Sequence, residues 1–282
     1  MRTERSSPTR LFRVVSLLNM RVFTLISILL VAASFASAQT LAKVQDELLG
    51  HLKKLEKASN YGGSSDYEVL GKENDSLRAA LIKYGSRTDV LTYAFPRLKK
   101  LMDLTTSRDG KLRTYSWDSN EGGTMHDYRT VYQFRGKSGK ASASADAYTQ
   151  SLEDRDAGAF VHQIFQTDTP TGPIYLAVST FIGSTSISGA TISTVTIDGE
   201  RLNRSPKLIR TAKGVTDSIS FQYDFFSVVD RPERPIRLFT YDETKKSFRF
   251  PIVIEDRRTP LGRVTNRFIT YRFDGKYFVK VV

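Results

Sequence analysis

Residues 169–197 read TPTGPIYLAVSTFIGSTSISGATISTVTI, a stretch without one charged side chain. Its length would suit a membrane-spanning helix, which needs about 20 apolar residues. Pro170, Gly172, Pro173, Gly183 and Gly189 argue against that reading, as does the density of serine and threonine. Ile174, Leu176 and Val178 alternate with the two-residue period of a strand, and the β-branched content points the same way. The stretch is therefore expected to form two sheet strands joined near residues 183–189.

On both sides of it the turn chemistry is that of hairpins. Asp109-Gly110, Asp198-Gly199 and Asp274-Gly275 are each flanked by β-formers, and Asp-Gly suits a tight turn whose central residues take positive φ. This pairs LMDLTTS (101–107) with KLRTYSW (111–117), ISTVTI (192–197) with ERL (200–202), and FITYRF (268–273) with KYFVKVV (276–282). A fourth hairpin is expected within RLFTYDETKKSFRFPIVI (237–254), turning at residues 243–246. An aromatic-x-aromatic-Asp pattern recurs at Tyr115/Trp117/Asp118, Phe221/Tyr223/Asp224, Phe239/Tyr241/Asp242 and Tyr271/Phe273/Asp274. In a strand the two aromatics share one face, and the aspartate is placed to open a turn by accepting from its own backbone. The RDAGA and RPERP segments, around Asp156 and Pro232, read as loops.

Upstream of about residue 97 the pattern is helical. Leu41, Val44, Leu48, Leu52 and Leu55 form one stripe, ended by Asn60-Tyr61-Gly62-Gly63. A second helix fits residues 75–84, with Asn74 or Asp75 as its cap, Leu77, Leu81 and Tyr84 on one face, and Gly85 closing it. Both leucine stripes are expected to pack on the sheet. The fold class is thus α+β: a short helical segment (39–96), then a large antiparallel β-meander of about ten strands (97–282), in a single domain.

The first 38 residues are expected to be absent from the finished protein. Val22 to Phe35 is an apolar run too short for a bilayer span, preceded by Arg13 and Arg21 and followed by Ala36-Ser37-Ala38. Charged start, apolar middle and small-residue end make a secretory signal peptide. Met20-Arg21 offers a second start from which the same leader would still end at Ala38. Removing residues 1–38 takes away five arginines and Glu4, so the formal charge falls from +12 to +8. The remaining charges are scattered and no basic run exceeds a pair, unlike the concentrated stripe of a nucleic-acid binder. The expected partners are a protein or an anionic envelope polymer, with no specific nucleic acid and no transmembrane segment once the leader is gone. The absence of cysteine excludes disulfides, a thiol nucleophile, sulfur metal ligands and a lipid anchor at the cleavage site. A periplasmic or extracellular bacterial protein fits these features.

Motifs that would specify an activity are missing. The Arg135-Gly136-Lys137-Ser138 run lacks the first glycine of a phosphate-binding loop, which falls on Val131. Neither a nucleophile elbow nor a zinc-protease helix motif occurs. Of the three histidines, His51 reads as a surface residue and His162, among alternating apolar neighbours, as structural. His126 lies in the polar loop WDSNEGGTMHDY (117–128), which holds the single tryptophan, a glycine doublet and several carboxylates. Three readings of that loop stand open. Asp118, Asn120, Glu121 and His126 could ligate a metal, calcium included, because Asp118, Asn120 and Gly123 match part of an EF-hand loop; position twelve, however, is Arg129. His126 could serve as a general base oriented by Asp118, Glu121 or Asp127. Or the loop is structural, with Asp118 and Asn120 capping a turn, the glycines at positive φ and Trp117 packed beneath.

Taken together, these features suggest an exported, non-enzymatic protein that binds a polymer or another protein through its sheet, with no cofactor. The alternative is a secreted hydrolase or metal-dependent enzyme built around Asp118 and His126. The exported protein is expected to begin at Gln39, which N-terminal sequencing would read directly; a form still carrying Arg21 and the apolar run would contradict the leader.

Overall fold

A computed structural model of the protein describes residues 40–60, 63–145, 158–257 and 259–281. The expected leader, residues 1–38, lies outside them, as do residues 155–157 of the RDAGA loop. The chain divides into two compact units, one ending at Asp46 and one running from Glu47 to Val282. In the first, residues 40–46 are helical, with Leu41 and Val44 buried.

The second unit is α+β. It opens with helix α1 (47–58), then α2 (Tyr67–Gly85) and the short α3 (Thr88–Thr92). Among the described residues no helix is long and apolar enough to cross a membrane. Among the described residues fifteen strands follow in three sheets. The first sheet holds β1 (Asp103–Thr106), β2 (Leu112–Asp118), β3 (Tyr128–Arg135) and β4 (Ala141–Ala145) in chain order. The central sheet is built from β5 (Phe160–Thr169), β6 (Gly172–Ile182), β7 (Ile187–Asp198), β8 (Arg201–Asn203) and β11 (Ser218–Asp224). The C-terminal sheet runs in the order β10 (Gly214–Thr216), β9 (Ile209–Thr211), β15 (Phe278–Lys280), β14 (Arg263–Phe273), β13 (Ser247–Ile254), β12 (Thr240–Asp242). Pairings are antiparallel except between β15 and β9.

The uncharged stretch forms β6 and β7, and its lack of charge follows from where it sits. Ile174, Leu176 and Val178 point to one side, into a cluster with Phe248, Phe250, Tyr271 and Phe278 of the C-terminal sheet. Tyr175 and Ala177 point to the other, against Leu112 and Phe134 of the first sheet. Burying each large apolar side chain contributes about 1.5–3 kcal/mol, so β6 draws on both faces at once. Strand β2 is likewise buried from Leu112 to Trp117: Leu112 faces the central sheet, while Arg113 reaches back to donate to the carbonyls of Val90 and Tyr93 at 3.0 and 2.6 Å. The four expected hairpins form, although Gly199 and Glu200 rather than Asp198 and Gly199 are central in the second, and Asp274-Gly275 lies in a four-residue loop. All four aspartates of the aromatic motif accept backbone amides of their own turns: Asp118 from Asn120, Asp224 from Phe226, Asp242 from Lys245, Asp274 from Lys276 and Tyr277.

Several sequence expectations are corrected. Among the described residues the strands number fifteen rather than about ten, because short edge strands carry little pattern. In the Asp-Gly turns only the glycines take positive φ, at 67° for Gly110, 66° for Gly199 and 105° for Gly275. Helix α2 starts at Tyr67, capped by Asp66, whose carboxylate accepts from the Val69 amide at 3.1 Å. Asn74 and Asp75 are therefore interior residues of the helix, not its cap. Gly85 is its last residue and Ser86, in right-handed conformation, its cap. Glycine is required at position 85 for another reason: a Cβ there would strike the Cβ of Ala143 on β4. His51 is not a free surface residue, since its Nδ1 lies 2.6 Å from the carboxylate of Glu73 on α2.

Asp103, half-buried at the start of β1, has its carboxyl raised by burial from 3.8 to about 6. Its charged form is the penalised one, so the folded state binds the proton more tightly than the unfolded chain. Stability should therefore fall as pH rises from about 4 to about 6 and stay lower above that. Asp103→Asn is expected to raise unfolding free energy by roughly 1–2 kcal/mol near pH 7 and by little near pH 4. Urea titrations at the two pH values measure this, and an equal effect at both would contradict the assignment.

Candidate functional site

The loop between β2 and β3 is held by helix α2 behind it. Trp117, 2 % exposed, donates from Nε1 to Asn74 Oδ1 at 2.8 Å, and Asn74 Nδ2 donates to the Ser119 carbonyl at 2.9 Å. One fully buried amide thereby satisfies a ring N–H and a loop carbonyl that have no water to turn to. Ser119 closes the loop neck: its amide donates to the Asp127 carbonyl and its hydroxyl to Asp127 Oδ2, both at 2.8 Å. Arg129, buried on β3, bonds Glu121 at 2.5 Å and Asp75 of α2 at 3.3 Å. On the far side the His126 amide donates to the Ile182 carbonyl at the end of β6, at 3.0 Å.

Asp118 and His126 converge. Asp118 Oδ1 accepts from the Asn120 amide at 2.9 Å, and Oδ2 lies 2.5 Å from His126 Nδ1. An ionised carboxylate only accepts, so Nδ1 carries the proton. The hydrogen bond to Asp118, offset partly by desolvation, raises the imidazole pKa above 6.5. The ring stacks on Tyr128 at 5.9 Å, and Tyr128 packs on Phe160 at 4.7 Å. Asn120 takes the positive φ of the loop, 58°, rather than the glycine doublet. Gly122 is needed because a Cβ would strike the Met125 carbonyl.

The other sequence candidates do not join this pair. Glu121 is turned onto Arg129 and Asp127 onto Ser119, so the carboxylates do not surround one point. Among the described residues no three His, Asp or Glu side chains are grouped to hold a metal ion. His162 sits on β5 with Nε2 3.1 Å from Thr180 Oγ1. Burial, aided by the charge of Arg237, lowers its pKa to about 4, so it is neutral at physiological pH.

His126 lines a cleft of about 800 Å³. Its walls are mainly apolar and aromatic: Tyr67, Phe160, Ile182, Tyr223, Phe225 and Ile236. Asn60, Thr124, Thr180, Ser184, Ser188 and the cationic Arg234 are set among them. These residues come from the segment leading into the start of α2, the β2–β3 loop, β5, the β6–β7 hairpin, β11 and the 225–236 segment. Apart from His126, and Thr124 beside it, the sequence reading placed none of them at a site. The one available signal was Tyr223, inner member of an aromatic-x-aromatic-Asp copy.

Comparison with known protein families, curated proteins and solved structures finds no match for this chain.

The ion pair should be visible in solution. NMR titration is expected to place the His126 pKa above 6.5, and Asp118→Asn to bring it down. Because the folded pKa is raised, the pair's stabilisation is complete below pH 6.5 and is lost as pH rises through the folded value. With the ring partly exposed it contributes less than about 1 kcal/mol. A pKa unmoved by Asp118→Asn would refute the pairing.

Proposed function

We propose that this protein is an exported binding protein that holds a small, largely apolar ligand in the cleft beside His126. The carrying observation is the cleft itself. At about 800 Å³ it falls within the usual range of ligand pockets, about 300–1,000 Å³. Aromatic walls with a few hydroxyls suit a ligand that buries an apolar body and is oriented by one or two hydrogen bonds. The loop supporting His126 is tied to both α2 and β6, which keeps this side of the cleft formed before a ligand arrives and lowers the ordering cost of binding. The exported setting rests on the leader sequence.

A second reading is favoured by the Asp118–His126 contact: an acid–base enzyme in which Asp118 orients the imidazole and His126 exchanges a proton with a substrate in the cleft. A ligand released chemically unchanged by the wild type supports binding alone. One altered by the wild type but not by His126→Gln supports the enzyme.

Thr124, exposed on the cleft lining, is the place to test the site. A fluorescent apolar dye is expected to bind the wild type, and Thr124→Trp to weaken it at least tenfold at an unchanged melting temperature. Equal dye binding by the two proteins would place the ligand elsewhere.

A further inference from the structure

We propose that the outer face of the C-terminal sheet docks on an anionic lipid bilayer. The inner face is committed to the core through Ile209, Phe248, Phe250, Tyr271 and Phe278. Alternation puts the residues between them outside. Cross-strand register sets Val215, Arg210, Val279, Arg272, Ser247 and Asp242 in one row across the six strands, with Val215, Arg210 and Arg272 exposed, Val279 and Asp242 partly so and Ser247 buried. A second row carries Arg249 opposite Thr240 and Thr270, and Phe268 lies opposite Pro251.

Three arginines thus share one face, all exposed, and among the described residues none is in an ion pair. Arg210 and Arg272 are two strands apart, about 10 Å, within the range over which charges act together at physiological salt. The one acid in the rows, Asp242, is engaged by Lys245 at 3.7 Å. Asp274, at the margin, accepts the amides of Lys276 and Tyr277 and also feels the charge of Arg210, which it offsets in part.

Apolar side chains stand among these charges. Phe268 is 44 % exposed, and Val215 and Val281 are 37 % each. The Arg249 guanidinium lies over the Phe268 ring at 4.8 Å, and that of Arg210 over Tyr277 at 4.4 Å. A soluble polyanion would neutralise the arginines and leave Phe268 and the valines in water. A bilayer interface meets both needs, phosphates taking the guanidinium groups and the headgroup region covering the apolar side chains. A broad sheet face, rather than a groove, suits a flat partner. This surface is independent of the cleft and of its ligand.

The test is sedimentation of the protein, purified from cells expressing the full reading frame, with vesicles of neutral phosphatidylcholine alone or with roughly 30 % phosphatidylglycerol. Binding is expected to the anionic vesicles only, and to weaken as salt rises. Each arginine near an anionic surface is worth roughly a fivefold change in affinity, so R210E/R249E/R272E should lose on the order of a hundredfold or more. Its melting temperature should match the wild type; if it does not, Arg272→Gln takes its place, with an expected loss of about fivefold. Phe268→Ser should weaken binding several-fold at unchanged charge. Absence of binding to anionic vesicles, or arginine variants that bind as the wild type does, overturns the proposal. So does an inert Phe268→Ser together with equal competition by dextran sulfate, which would make the face a site for soluble polyanions instead.

Discussion

Burial of β6 on both faces is the constraint from which the architecture follows. A strand with apolar side chains on alternate positions needs one covering layer; one with Ile174, Leu176 and Val178 on one side and Tyr175 and Ala177 on the other needs two. The chain supplies them as separate sheets, one preceding the central strands and one following. Each cover then has an outer face to manage. The first sheet meets α2, where Gln133 of β3 donates to the carbonyls of Gly85 and Arg87 at 3.1 and 3.0 Å. The C-terminal sheet instead places arginine and threonine outward.

Asn74 is the link between this packing and the candidate site. A buried asparagine within a helix is costly unless its amide is satisfied. Here it is satisfied on both ends by the residues flanking Asp118, namely Trp117 and Ser119. The loop position is thereby set by the helix, and Asp118 stands where its carboxylate can serve its own turn with one oxygen and His126 with the other. The turn-closing bond and the contact with His126 do not exclude each other, since one carboxylate makes both. The chemistry that remains open to His126 depends on what occupies the cleft.

Local chemistry was legible in the sequence; assembly was not. Asp-Gly pairs, the alternation in residues 174–178 and the aromatic-x-aromatic-Asp motif each act within a few residues, and each appears where expected. The first turns of α2 were missed because Gly71, Lys72, Glu73 and Asn74 interrupt the leucine spacing, and their reasons are tertiary: Asn74 serves Trp117, and Glu73 serves His51 and Lys54. The division into three sheets was invisible because hairpin signals report neighbours, not which hairpins join. Loop composition pointed to Asp118 and His126 but could not exclude Glu121, whose partner Arg129 lies in the next strand. The cleft could not be anticipated at all, since six separated segments form its walls.

The cleft and the basic face also share a physical support. Tyr223, on the cleft wall, contacts Phe221 at 6.3 Å; Phe221 stacks on Phe250 at 5.7 Å, and Phe250 on Tyr271 at 6.2 Å. Tyr271 precedes Arg272 and follows Thr270, which look out from the other side of the same strand. Such ring pairs add about 0.5–1.5 kcal/mol each beyond burial, and close-packed aromatic cores deform little. The two surfaces are therefore carried on one stiff aromatic layer. That layer lets the outer face of the C-terminal sheet take almost any polar composition without disturbing the cleft, because alternation separates what faces out from what packs within. An outward arrangement in which arginines and exposed apolar residues occur with a single acid is thus not dictated by the fold. The packing leaves those positions open, so their composition is set independently of the core.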